Sequence, residues 1–223
     1  HLGYVMLGLV AFTGEGATGS AYQMLNHGVS TGALFLLFGF LYERRHTRLM
    51  SDYGGIARVV PLFTATFVII TFSSIAVPGT NGFVGEFLIL LGTFKSGLSL
   101  WLAALATTGV VLGAAYMLWM VQKVFYGGLT HRENQGLKDL SLREFATVLP
   151  FLVLVPVMGL MPQPFLERIE PSTERFIARA TLGAPGADVP ESAVRVTALG
   201  LPSADVAAAP NAEPSSGSLA ARR

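Results

Sequence analysis

Residues 77–90 read VPGTNGFVGEFLIL. Apolar sequence flanks this stretch, over residues 61–76 before it and 87–94 after it. A proline and two glycines inside a hydrophobic run of membrane length open the helical hydrogen-bond ladder. One carboxylate, Glu86, follows four residues past Gly82. An ionisable residue beside such an opening is expensive in lipid and marks a functional site. Two half-helices meeting next to a carboxylate is an arrangement used to handle ions across a bilayer.

Composition agrees with a membrane setting. Of 223 residues, 52% are hydrophobic and 13% charged, against roughly 25% charged in a soluble domain. Mean hydropathy is +0.55. The net charge of +1 argues against a nucleic-acid partner. The absence of cysteine removes disulfides, thiolate metal sites and thiol nucleophiles. No signal peptide is visible. The chain begins with His1 rather than Met, and the expectation is a piece of a longer protein.

Read outward from the break, the chain predicts an all-α, polytopic transmembrane bundle of about five helices over residues 1–165. Residues 1–13 are apolar but shorter than the ~20 residues a spanning helix needs, so they read as the second half of a helix. Residues 14–19 read as a Gly-rich turn. Residues 20–42 are long enough to span, and small residues from Gly28 to Ala33 suit close helix packing in lipid. Residues 43–48 (ERRHTR) form a charged cap, and 49–60 a short interfacial segment. The broken helix covers 61–94, interrupted at 77–82, with Pro61 at a favourable first position. Residues 100–125 are the cleanest span, with Trp101 at one end and Tyr116, Trp119 and Tyr126 towards the other, as an interfacial aromatic belt requires. Residues 144–161 form a last span that carries Pro150 and Pro156. A surface helix over 166–180, interrupted by Pro171, and a disordered Ala/Pro/Ser/Gly tail over 181–223 complete the second region, 166–223.

Short-loop charges set the orientation. Arg44, Arg45, Arg48 and Arg58 lie in one loop, and Lys123, Arg132, Lys138 and Arg143 in or beside another. The opposite loops carry only Lys95. This places loops 43–60 and 127–143 in the cytoplasm and the tail on the periplasmic side of a bacterial inner membrane.

Three ionisable residues fall at or near membrane depth: Glu86, His27 and His1. Glu86 reads as a proton relay site, because burial disfavours the charged form of a carboxyl. The alternative is a carboxylate that caps the half-helix beginning near Gly82. His27 can pass a proton between its ring nitrogens near neutral pH, or it can be a core histidine bonded to a neighbouring helix. Asn26, Ser30 and Thr31 give it a polar stripe that favours the relay. His46 and His131 read as solvated loop residues, and Tyr116, Met117, Trp119 and Met120 as packing. Gly79, Gly82 and Gly85 lack the Lys-Ser/Thr ending of a phosphate loop. No metal cluster, nucleophile set or dinucleotide fingerprint is visible.

Three stretches carry a resemblance: HLGYVMLG from His1, QMLNHGVSTGALFLLFGFLYERRHTRLMSDYGG from Gln23, and PGTNGFVGEFLILLGTF from Pro78. They resemble the M-subunit family of bacterial NADH:quinone oxidoreductase (respiratory complex I), whose mitochondrial counterpart is NADH dehydrogenase chain 4. The similarity runs to about Met161 and is densest in the first hundred residues. The resemblance implies one of three antiporter-like subunits of a membrane arm, built from two inverted five-helix repeats that each contain a broken helix. This chain would hold the end of the second repeat and the closing helices. The family's Glu–Lys pair and central Lys lie outside it. Glu86 would be the terminal carboxylate of the proton path, and His27 and His1 histidines of its hydrated axis. NADH, FMN, iron–sulfur clusters and quinone would be bound by other subunits, with no cofactor or metal in this chain. Its partners would be the L-type and N-type antiporter-like subunits and the lipid bilayer. The long tail departs from the usual short end of the family.

Two other assemblies share a broken helix with an acidic site: a multi-subunit Na+/H+ antiporter and a membrane-bound hydrogenase or formate-linked complex. A subunit that anchors the arm without moving a proton is a third reading. The wording of YERRHTR and VPGTNGFVGEF favours the oxidoreductase.

Overall fold

The structure, a computed structural model, describes residues 1–98 and 100–182. Regular structure among them is helical throughout. The order is α1 (Leu2–Val10), α2 (Gly14–Arg45), two short 3-10 turns at Met50–Asp52 and Ile56–Arg58, α3 (Pro61–Ser74), α4 (Asn81–Lys95), α5 (Leu100–Phe125), a 3-10 turn at Arg132–Gly136, α6 (Leu142–Leu160) and α7 (Gln163–Leu182). The chain divides into two compact units after Thr173. Helices α1–α6 all belong to the first. The expected tail lies, from residue 183 on, outside the described residues.

Three helices are long and apolar enough to cross a membrane: α2, α5 and α6. With 32 residues, α2 is about 48 Å long at 1.5 Å per residue, more than the ~30 Å hydrocarbon core. It starts earlier than its sequence suggests. Residues 14–19 form its first turns, because Thr13 caps it by accepting from the Gly16 amide at 3.1 Å. The glycines there serve close approach rather than a turn. A Cβ on Gly16 would strike the Gly8 carbonyl of α1, and one on Gly92 of α4 would strike the Gly16 backbone. Without a hydrophobic drive between helices in lipid, backbone contact of this kind holds α1, α2 and α4 together.

The other end of the bundle is built from large side chains. Leu37 and Leu41 of α2, Ile56 of the second 3-10 turn, Phe63 and Phe67 of α3, Val124 and Phe125 of α5, and Val148 of α6 form one buried cluster. Within it the Phe67 and Phe125 rings lie 4.7 Å apart, centroid to centroid. Above this cluster the charged loops are tied down. Arg44 pairs with Glu144 at 2.8 Å and donates to the carbonyls of Lys138 and Asp139. Arg45 donates to Asn134 Oδ1 at 2.7 Å, and Asn134 in turn donates to the Asp52 carbonyl. Loops 43–60 and 127–143 therefore share one end of the bundle. Lys95, paired with Glu15, marks the other.

Three prolines lie inside helices, where each lacks the amide that residue i−4 would accept from. Pro150 and Pro156 lie inside α6. Pro171 lies inside α7, which runs unbroken from Gln163 to Leu182 instead of being interrupted as its sequence suggests. Just past that proline, the Thr173 hydroxyl donates to the Glu170 carbonyl at 3.0 Å and is held by Thr18 at 2.8 Å.

Candidate functional site: a helix break, two histidines and a carboxylate

The sequence puts the break at 77–82; the structure opens the helix over residues 75–80, and the geometry follows from the residues. α3 stops at Ser74, and α4 restarts at Asn81. The chain leaves α3 through paired bonds, Ala76 N–H to the Ser73 carbonyl (3.3 Å) and Val77 N–H to the Phe72 carbonyl (3.1 Å). This is the Schellman arrangement, with Ala76 in the left-handed region (φ 56°) where glycine is usual. Gly79 (φ 92°) completes the turn. The Ser74 carbonyl, left open where α3 ends, faces His1, whose Nε2 lies 2.9 Å from it.

His1, His27 and Glu86 come together here. The two rings meet edge to face, with Nδ1 of His1 3.1 Å from Nδ1 of His27. His1 Nε2 lies 3.8 Å from Glu86 Oε1. Thr31, one turn along α2, sits 3.0 Å from His27 Nδ1. Glu86 is 7% exposed. It stands in the second turn of α4, whose first turn holds no acid, so it does not cap the half-helix. A cavity of about 190 Å3 opens onto His1, Tyr4, Ser74 and Glu86 on one side and Gly113, Tyr116 and Met117 of α5 on the other.

The polar stripe of α2 divides in two. Thr31 serves His27, whereas Asn26 and Ser30 serve the break. Asn26 Nδ2 donates to the Asn81 carbonyl at 2.8 Å. Ser30 Oγ lies 2.6 Å from Ser73 Oγ, Ser73 donates to Asn81 Oδ1, and Asn81 Nδ2 donates to Ser30. Buried polar groups in lipid need partners, and this ring supplies them across α2, α3 and α4.

Sequence reasoning missed Gln23, which donates to Glu86 Oε1 at 3.3 Å, and Asn81, which stitches the break. It also read Tyr116 and Met117 as packing, whereas they line the cavity. Spacing along α2 could have suggested Gln23, which lies one turn before His27. Nothing local points to Asn81. Among the described residues no group of three or more His, Asp or Glu side chains is placed to hold a metal.

Residues 1–113 match the family model described as NADH:quinone oxidoreductase/Mrp antiporter, transmembrane. NADH-quinone oxidoreductase subunit M of Rhodobacter capsulatus is 39% identical over 79% of this chain and 34% of its own length. The subunit M of Mycobacterium tuberculosis is 42% identical over 78% of this chain and 31% of its own. The chain thus spans about a third of the length of the relatives it matches. Among solved structures, respiratory complex I from Thermus thermophilus with bound NADH superposes with a TM-score of 0.73 at 39% identity, covering 79% of this chain and 37% of that one. The membrane-bound sulfane sulfur reductase, an archaeal respiratory membrane complex, shares the fold (TM-score 0.67, 24% identity, 72% of this chain and 26% of that one). With a family model that covers half of the sequence, the chain belongs to the NADH:quinone oxidoreductase/Mrp antiporter transmembrane family.

Proposed function

We propose that this chain carries the terminal part of a proton path in an M-type subunit of NADH:quinone oxidoreductase. The observation that carries the reading is the succession His27, His1, Glu86, at 3.1 and 3.8 Å, beside an opened helix. The Ser74 carbonyl can only accept, so His1 carries a proton on Nε2 and, when neutral, accepts at Nδ1. A protonated His27 donates its Nδ1 proton to His1 Nδ1. His27 is left neutral with its proton on Nε2, and His1 becomes an imidazolium with both nitrogens protonated. His1 then gives its Nε2 proton to Glu86 once the ring turns from Ser74 and closes the 3.8 Å gap to hydrogen-bond length. It is left neutral with its proton on Nδ1. Glu86 releases the proton through the cavity towards the periplasmic side.

The redox step would occur elsewhere. NADH, FMN, iron–sulfur clusters and quinone would be held by other subunits, and this chain would bind no cofactor. Its neighbours would be the L-type and N-type antiporter-like subunits of the membrane arm. Loops 43–60 and 127–143 would face the cytoplasm of a bacterial inner membrane, and the tail the periplasm.

Glu86→Gln in the full-length protein, in its host, tests the reading. NADH-driven proton uptake by inverted membrane vesicles should be lost while a native gel shows the complex assembled. Unchanged uptake would make Glu86 structural. The family description also names Mrp antiporters, which favours a second reading as a cation/proton antiporter subunit. That reading requires proton exchange driven by a cation gradient without NADH.

A further inference from the structure

The amide of Gln23 is fixed in orientation by a chain of donors that starts at the helix break. The main-chain carbonyl of Asn81 can only accept, so the group facing it at 2.8 Å must be the NH2 of Asn26. The second N–H of that NH2 lies 3.1 Å from Gln23 Oε1. With its oxygen pinned, Gln23 must present its own NH2 to Glu86 Oε1, 3.3 Å away. Turning Asn26 over would set its oxygen against both the Asn81 carbonyl and Gln23 Oε1, so Oδ1 stays where it is, buried without a partner. Gln23 and Asn26 are each 1% exposed, so water does not compete for these bonds. Gly85 makes the room: a Cβ there would strike both Gln23 Oε1 and Asn26 Nδ2. The oxygen that Gln23 holds is the one His1 faces.

We propose that Gln23 is a positioning residue for proton exchange at Glu86, aiming its carboxyl oxygen at His1 through an amide locked to the helix break by Asn26. The inference rests on the relay reading above and extends it. A shift of α4 against α2 would pull the Asn81 carbonyl from Asn26, free the Gln23 amide and release Glu86 from its aim. The break and the carboxyl are thereby linked through side chains.

The test uses the full-length subunit in its assembled complex. Infrared difference spectra identify the carbonyl stretch of protonated Glu86 as the band that Glu86→Gln removes. Gln23→Met keeps the side-chain volume and removes the donor. Loss of the Gln23 donor lets the carboxyl turn from the aim the bond gives it and changes the surroundings of its carbonyl oxygen, so this band should move. NADH-driven proton uptake should fall about tenfold, the factor a hydrogen bond to a charged group supplies. Asn26→Ser leaves Gln23 in place but free to turn, and should move the band the same way by less. It decides the matter if Gln23→Met does not assemble. A Glu86 band that stays put in the assembled variants, with uptake unchanged, overturns the role of Gln23 and leaves the relay standing. A wild-type complex with no band that Glu86→Gln removes overturns the relay reading and this inference with it.

Discussion

Pro162 has no N–H for the Met158 carbonyl one turn back, and Tyr22 supplies the replacement: its hydroxyl donates to that carbonyl at 2.6 Å from a fully buried position. A side chain also meets an open carbonyl at the break, where α3 ends and Ser74 O faces His1. One contact protects α6 and the other builds the candidate site. Tyr22→Phe keeps the ring and leaves the Met158 carbonyl unpaired, at a cost of about 1–3 kcal/mol. The full-length protein purified in detergent should melt at a lower temperature, with proton uptake per assembled complex unchanged. Glu86 and the break were legible in the sequence, because a buried carboxyl and a Pro-Gly pair announce themselves locally. Gln23 and Asn81 were not. Each is an ordinary polar residue until a partner 63 residues away, for Glu86, or 51, for Ser30, is brought beside it.

The N-terminus of α3 depends on a residue far along the chain. Val60, at the cap position, makes no side-chain bond. Asp139 reaches in from the loop before α6 and accepts from the amides of Leu62 and Phe63, each at 2.8 Å. Its charge also suits the positive end of the helix. Arg44 holds the same loop by donating to the Asp139 carbonyl, so α2, α3 and the 127–141 segment are clamped together. Asp139→Ala should cost about 1 kcal/mol, as loss of an N-cap does. Amide hydrogen exchange over residues 62–64 should quicken in the assembled complex while exchange in α5 stays as it was. Exchange that does not change at 62 and 63 would refute the capping role. Element boundaries were harder to read than element types. Residues 14–19 pass for a turn because glycine usually marks one, yet here glycine is what lets α2 touch α1 and α4. The distinction lies in the neighbouring helices, which a single stretch of sequence does not contain.

At the scale of the bundle, the two ends differ in both charge and packing. Arg44, Arg45, Arg48, Lys138 and Arg143 gather at the end built on large side chains. The end built on glycines carries the Lys95–Glu15 pair. An excess of Lys and Arg in short loops faces the cytoplasm, so the proposed orientation puts Glu43 and Arg132 inside and Lys95 outside. The stretch contains no cysteine, so single cysteines report without background in an otherwise cysteine-free subunit. Glu43→Cys and Arg132→Cys should resist a membrane-impermeant maleimide in intact spheroplasts and react in inverted vesicles. Lys95→Cys should do the reverse. The pattern also bears on the proton path. Glu86 lies on the half-helix that runs from the break towards Lys95, so a Lys95 that labels from outside makes the cavity beside Glu86 an exit. Labelling of Lys95→Cys from the cytoplasmic face would turn the same three residues into an entry, with His27 receiving the proton rather than supplying it.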